Sequence, residues 1–253
     1  MMSKFLFLAA GAALLSLIAG ACGDGGPASL PETGAAVCND LKEAERFRYV
    51  LDYSIQSPQQ ESPPDDSAAA GQWYLLPSLP PLDLQLKHDG AMVKPDRLDF
   101  DVSQPNLPTQ PSLRTIRIGE AEWLYLGDSW QVNSEPHAFA FTPPNLCDQL
   151  VSPLNLNGAS VSEESVGDTE TRHVHVEGTS LEASSQIFSP QSDMGRALKT
   201  FNVDLWLSKN KNRLVKVAAV SSATLPFGRE LSVSFDLELR SYNDKDIKIE
   251  PPI

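Results

Sequence analysis

The chain has 253 residues, with 20 Lys and Arg against 33 Asp and Glu and a formal net charge of −13. That balance argues against nucleic acid as a partner and against adhesion to anionic lipid by charge alone. It narrows function no further, because acidic surfaces are common on secreted proteins.

Residues 1–21 read as a signal peptide. Lys4 supplies the positive start and residues 5–18 an apolar run, and Ala19, Gly20 and Ala21 form a small-residue cleavage site before Cys22. The run is too short and Ala-rich for a membrane span. Ending on Cys22, it resembles a bacterial lipobox, which implies cleavage before Cys22 and acylation of its thiol and new amino terminus. An ordinary secretory signal with an incidental cysteine is the alternative. Several acyl chains at one point anchor firmly, so the expectation is a chain tethered outside the cytoplasm. Residues 23–36 are rich in Gly, Pro and small side chains and read as a flexible tether. The remainder, 37–253, fits a single domain.

With Cys22 acylated, Cys38 and Cys147 remain as an even pair in an oxidising compartment, and a disulfide is expected. It would close a loop of about 110 residues, for which chain entropy gives about 4–5 kcal/mol as an upper value. Neither cysteine has a CxxC or CxxH neighbour, so no metal site is read there.

The mature chain opens with a short helix at 39–46, capped by Asn39 or Asp40. Alternation of Phe47, Tyr49, Leu51, Tyr53 and Ile55 makes the next stretch a strand. A polar, Pro-rich loop follows at 57–71, and 73–76 resumes a strand. Residues 82–88 and 97–102 form a hairpin around His88–Pro95 (HDGAMVKP) and Asp96. A meander follows at 113–118, 121–126 and 129–132, turning at Gly119-Glu120 and Gly127-Asp128. Trp123, Tyr125 and Trp130 give it much of the aromatic content.

A helix within 141–154 is opened by Thr142-Pro143-Pro144 and stopped before Pro153. Residues 160–166 and 172–177 form a hairpin around Gly167-Asp168, and 192–199 reads as a short helix. Residues 201–222 make a further hairpin about Lys209-Asn210-Lys211-Asn212. Leu231, Val233, Phe235, Leu237 and Leu239 then alternate with polar residues. Ile247 and Ile249 suggest a last edge strand, closed by Pro251-Pro252.

The count is about ten strands and two or three short helices, joined by hairpin-length turns, which implies an antiparallel sheet with one apolar face. Helices so few and short cannot cover that face, so the sheet must curl, fold on itself or be filled. The fold class is mainly β: a curved antiparallel sheet or half-open barrel with its short helices on the concave side.

The order of pieces carries a resemblance: FRYVLDYSIQ after the tether and helix, then KPDRLDFDV, IRIGEAEWLYLGDSWQV, the Pro-opened helix, VSEESVGDTETRHVHV, VDLWLSKNKNRLVKVAAV and SYNDKDIKIEPP. It resembles the lipoproteins of the LppX/LprG kind, within the superfamily that includes the LolA and LolB lipoprotein carriers. The resemblance covers about 41–252 and rests on strands and turns rather than a catalytic signature. It implies a half-open barrel wrapped round helices, with an apolar cavity for acyl chains and a role in carrying lipids or lipidated molecules across the periplasm or wall. The chain departs from it in its acidic 57–71 loop and its Cys38/Cys147 pair.

No nucleophile, phosphate-loop or HExxH pattern occurs, so no enzyme and no cofactor are read. His173 and His175 share one face of a strand, near Glu170 and Glu177, but no third metal ligand is placed, and His88 and His137 lie far off along the chain. Two exposed strand histidines are the reading.

The expected function is therefore a lipid-anchored module that binds or carries an acyl chain or other hydrophobic ligand. The cavity candidates are Tyr49, Leu51, Tyr53, Trp123, Tyr125, Phe201, Val203, Leu205, Val233, Phe235 and Leu237. The alternative is an envelope protein-interaction or sensor module with the same fold and no ligand.

Overall fold

The computed structural model describes residues 29–58, 81–134, 142–180, 200–224 and 230–252. Residues 1–28, with Cys22 and most of the tether, lie outside these, as do most of the 57–71 loop, the 73–76 strand, His137 and the 192–199 helix.

Helix α1 spans Gly34–Glu43 and is followed by strands β1 (Arg46–Ser57), β2 (Leu82–Val93), β3 (Arg97–Ser103), β4 (Leu113–Ile118), β5 (Ala121–Tyr125) and β6 (Trp130–Asn133). Helix α2 (Pro143–Leu146) continues into a π-helical turn, Cys147–Val151. Strands β7 (Ser160–Val166), β8 (Thr169–Ser180), β9 (Thr200–Ser208), β10 (Leu214–Thr224) and β11 (Glu230–Arg240) complete the order.

The eleven strands of the described residues form one antiparallel sheet in the order β6-β5-β4-β3-β2-β1-β11-β10-β9-β8-β7. Two meanders thus run outward from a central seam where the first strand pairs with the last. Across that seam Tyr49 meets Leu239, Leu51 meets Leu237, Tyr53 meets Phe235 and Ile55 meets Val233. Among the described residues β6 and β7 are edges, and the sheet is curved and not closed.

Strict alternation in β1 and β11 puts every second side chain into one core. Tyr53 and Phe235 stack there at 4.9 Å. The helices lie on this concave side, at the end where β1 begins. Val37, Cys38 and Leu41 of α1 and Leu146, Leu150 and Val151 of α2 enter the same cluster as Leu205 and Leu237. Cys38 and Cys147 form a disulfide between the helices, with Cα atoms 5.8 Å apart, and Lys42 pairs with Asp148 at 2.6 Å.

Three elements differ from the sequence reading. Helix α1 begins at Gly34, inside the stretch read as tether, and is capped by the Thr33 hydroxyl rather than by Asn39 or Asp40. The small residue there serves close packing: a Cβ on Gly34 would fall 1.7 Å from the Val151 carbonyl oxygen, while the Gly34 N–H donates to Leu154 O. Strand β2 runs on to Val93 through Gly90, read as part of a turn, where a Cβ would come within 2.5 Å of the Phe100 Cβ. Finally, 241–252 is not an edge strand. Its carbonyls are taken by arginine side chains, Arg46 to Ile247 O and Arg97 to Ile249 O. It straps the convex face, where Ile247 and Ile249 pack with Ala91, Ile116, Trp123 and Trp130 in a second core.

Candidate functional site: the β2–β6 wing and its far rim

Cross-strand partners in an antiparallel ladder share a face, so the ladder registers sort the concave wall residue by residue. One row runs Leu51 (β1), His88 (β2), Val102 (β3) and Leu113 (β4). Toward the helix end the next row is Tyr49, Gly90, Phe100, Thr115 and Leu124.

Burial falls outward along this wall. The seam strands and β9 are closed: Tyr49, Leu51, Tyr53, Phe201, Val203, Leu205, Val233, Phe235 and Leu237 are all buried in the main cluster. On the wing, by contrast, Leu84, Leu86 and Val102 are only half-buried and Leu113 is exposed.

The wing ends in an apolar rim. At the end of the sheet opposite the helices stand Leu82, Leu107, Leu113, Tyr125 and Leu126, all large, apolar and exposed, Leu126 by 52%. A cleft of about 770 Å³ opens among them, lined by Asp101, Pro111, Ser112, Leu113, Arg114, Tyr125, Leu126, Gly127 and Trp130. That volume lies within the usual range of small-molecule sites.

The Tyr125 and Trp130 rings lie 5.3 Å apart at 52°, and the Arg114 guanidinium sits 5.7 Å over Trp130. Arg114 reaches both carboxylate oxygens of Asp99, Nε at 3.2 Å and Nη2 at 3.0 Å, so its charge is already matched. Burial raises the Asp101 carboxyl above its usual range against the opposing pull of Arg114. The cleft is therefore aromatic and aliphatic, with one partly desolvated acid at its wall.

Trp123 and Tyr125 do not join the other candidates. Trp123 pairs with Ile116 and Val132, and Tyr125 with Arg114 and Trp130, which places both on the convex side. The concave positions of β5 are Glu122, fully buried and accepting from Asn133 Nδ2, and Leu124. The aromatic pair misleads because the terminal strap covers part of the convex face and gives it an apolar set of its own. Tyr125 nevertheless lines the rim cleft. Leu113 and Leu126, which also line the cleft, were not among the sequence candidates.

The convex face of the other meander holds His173 and His175 together. His173 Nε2 and His175 Nδ1 both lie 2.7 Å from Asp204 Oδ1. Their outer nitrogens face Glu164 and Glu177 at 3.5 Å, and His173 stacks on Trp206 at 4.6 Å. The Asp204 hydrogen bond raises the His175 pKa above its ordinary value. Among the described residues no group of three or more His, Cys, Asp or Glu is arranged to hold a metal ion, and no helix is long and apolar enough to cross a membrane.

No protein-family model matches the chain, and no curated protein matches it. Among solved structures it is similar to LprF from Mycobacterium bovis, at 9% identity and a TM-score of 0.46, over 87% of this chain and 96% of that one. It is also similar to a LolA superfamily protein from Nitrosomonas europaea, at 12% identity and a TM-score of 0.29, over 85% of this chain and 97% of that one.

Proposed function

We propose that the chain is a lipid-anchored, extracytoplasmic module that takes an acyl chain or similar apolar ligand against its β2–β6 wing. The observation that supports this reading is the rim: exposed Leu113, Tyr125 and Leu126 gather around a cleft of about 770 Å³ at the far end of the wing, whose strand residues Asp101, Arg114, Tyr125 and Trp130 form one cross-strand row on the convex side. Transfer of apolar area from water into such a site yields roughly 25 cal/mol per Å² before ordering costs. The anchor belongs to the same reading, with acylated Cys22 holding the domain to a membrane.

The test is native mass spectrometry of the mature chain purified from a bacterial envelope, followed by lipid extraction. An acylated species at near one-to-one stoichiometry is expected. In parallel, Leu113→Asp and Leu126→Asp should each weaken uptake of a fluorescent fatty acid by about ten-fold or more, since burying a leucine is worth about 1.5–3 kcal/mol. Both side chains are exposed, so melting temperatures should stay near that of the parent. A clean apo mass with no uptake would transfer the reading to an envelope protein-interaction module that uses the same rim.

A further inference from the structure

The cleft at the far rim is built on one cross-strand row. Asp89 on β2, Asp101 on β3, Arg114 on β4, Tyr125 on β5 and Trp130 on β6 stand in register on the convex side. The charges of this row do not cancel. Asp99 takes the Arg114 guanidinium through both carboxylate oxygens, at 3.2 and 3.0 Å, and Arg240 reaches Asp89 at 3.4 Å. Among the described residues Asp101 carries no hydrogen bond or ion pair. Asp99 lies nearer the helix end of β3 than Asp101 does, so its hold on Arg114 draws that cation away from the rim. One unmatched carboxylate is left at the cleft wall.

Beside it stands an aromatic corner. The Tyr125 and Trp130 rings meet at 52°, with centroids 5.3 Å apart. Arg114 sits over Trp130 at 5.7 Å, whereas among the described residues no cation lies over Tyr125. Ring faces attract cations, and quaternary ammonium groups are the familiar ligands of such aromatic corners. Pro111, Leu113 and Leu126 add apolar surface to the same cleft.

We infer that the cleft takes the ammonium headgroup of an amphiphile, with Asp101 as its counter-charge, the Tyr125 ring against the head, and Leu113 and Leu126 along the apolar chain. The inference rests on the carrier reading above and adds the ligand's headgroup to it. An anionic head would meet the Asp101 carboxylate and find the one cation of the row already held by Asp99. A neutral head would leave that carboxylate without a counter-charge. Burial raises the Asp101 carboxyl above its usual range; Arg114 opposes the rise, and Asp99 and Asp89 add to it. An acid losing water in that company gains from a cation brought by the ligand.

The experiment titrates the mature chain with three fluorescent probes of equal alkyl length, below their micelle concentrations: a trimethylammonium, an alcohol and a sulfate. An exposed ion pair and a cation–π contact together correspond to about ten-fold in affinity. Wild type should therefore bind the ammonium about ten-fold tighter than the alcohol, and the sulfate weakest. Asp101→Asn keeps the shape without the charge and should weaken the ammonium about three- to five-fold and the alcohol less than two-fold. Tyr125→Leu keeps an apolar side chain without a ring face and should act likewise. Both side chains are exposed, so melting temperatures should stay near that of wild type. Added salt should weaken the ammonium and leave the alcohol unchanged. Phosphatidylcholine vesicles distinguish the sources: cosedimentation that Asp101→Asn weakens assigns the ammonium to a lipid headgroup, and binding of the soluble probe alone assigns it to a free amphiphile. Equal affinity for ammonium and alcohol, tighter binding of the sulfate, or an unchanged ammonium affinity in Asp101→Asn would overturn this inference alone. No uptake of any probe by wild type would overturn the carrier reading and the inference with it.

Discussion

At the scale of single residues, the convex histidines show how one carboxylate organises a surface. Asp204 receives both His173 and His175 at 2.7 Å, and Glu177 adds its charge on the far side of His175. The His175 pKa is raised, first by the Asp204 hydrogen bond. A histidine whose pKa is higher folded than unfolded adds stability below its unfolded value near 6.5, and that stability is lost as pH rises through the folded value. Urea midpoints of the parent should therefore fall between pH 6 and pH 8.5, and Asp204→Asn should flatten that fall. An unchanged pH slope in the variant would remove Asp204 as the cause. The effect should be small, since the pair is partly exposed and screened by solvent.

At the scale of elements, the two helices owe their position to packing and to one covalent link. Helix α2 is a single turn prolonged by a π-helical one, and such a piece has no independent stability. It is held by buried Leu146, Leu150 and Val151 and by the bond from Cys147 to Cys38 across a separation of 109 residues. Replacing both cysteines by serine should lower the unfolding free energy by about 2–5 kcal/mol, read from urea denaturation. A loss below about 0.5 kcal/mol would mean that the side-chain contacts alone seat the helix. The strap at 241–252 is fixed differently, by Ile247 and Ile249 in an apolar cluster and by guanidinium groups on its carbonyls. Its alternating isoleucines imitate a strand because one of its sides is buried and the other wet.

At the scale of the whole molecule, the alternation in β1, β9 and β11 made the sheet and its apolar face legible, and the same alternation named nine residues that the structure buries together. Periodicity reports which side chains leave water, without distinguishing a helix from a ligand as the cover. Leu205 and Phe235, read as cavity wall, lie in that buried cluster. Leu205→Ala should accordingly cost about 2–5 kcal/mol in stability, measured by urea denaturation, and a loss under 1 kcal/mol would count against its place in the packed core. The rim escaped notice because Leu107, Leu113 and Leu126 sit at strand ends and in loops, where no period marks them. The convex core was hidden for another reason: the partners of Trp123 and Ile116 come from Ile247 and Ile249, more than a hundred residues away along the chain.

The seam between β1 and β11 also sets a timetable. Each meander can gather its neighbours as soon as they are made, but Tyr53 has no Phe235 to stack on until β11, about 180 residues later in the chain, exists. Pairings so distant in sequence are slow to form, because a long loop must close before any contact rewards it. The centre of the sheet therefore waits for β11, and the two meanders cannot join before that strand is made.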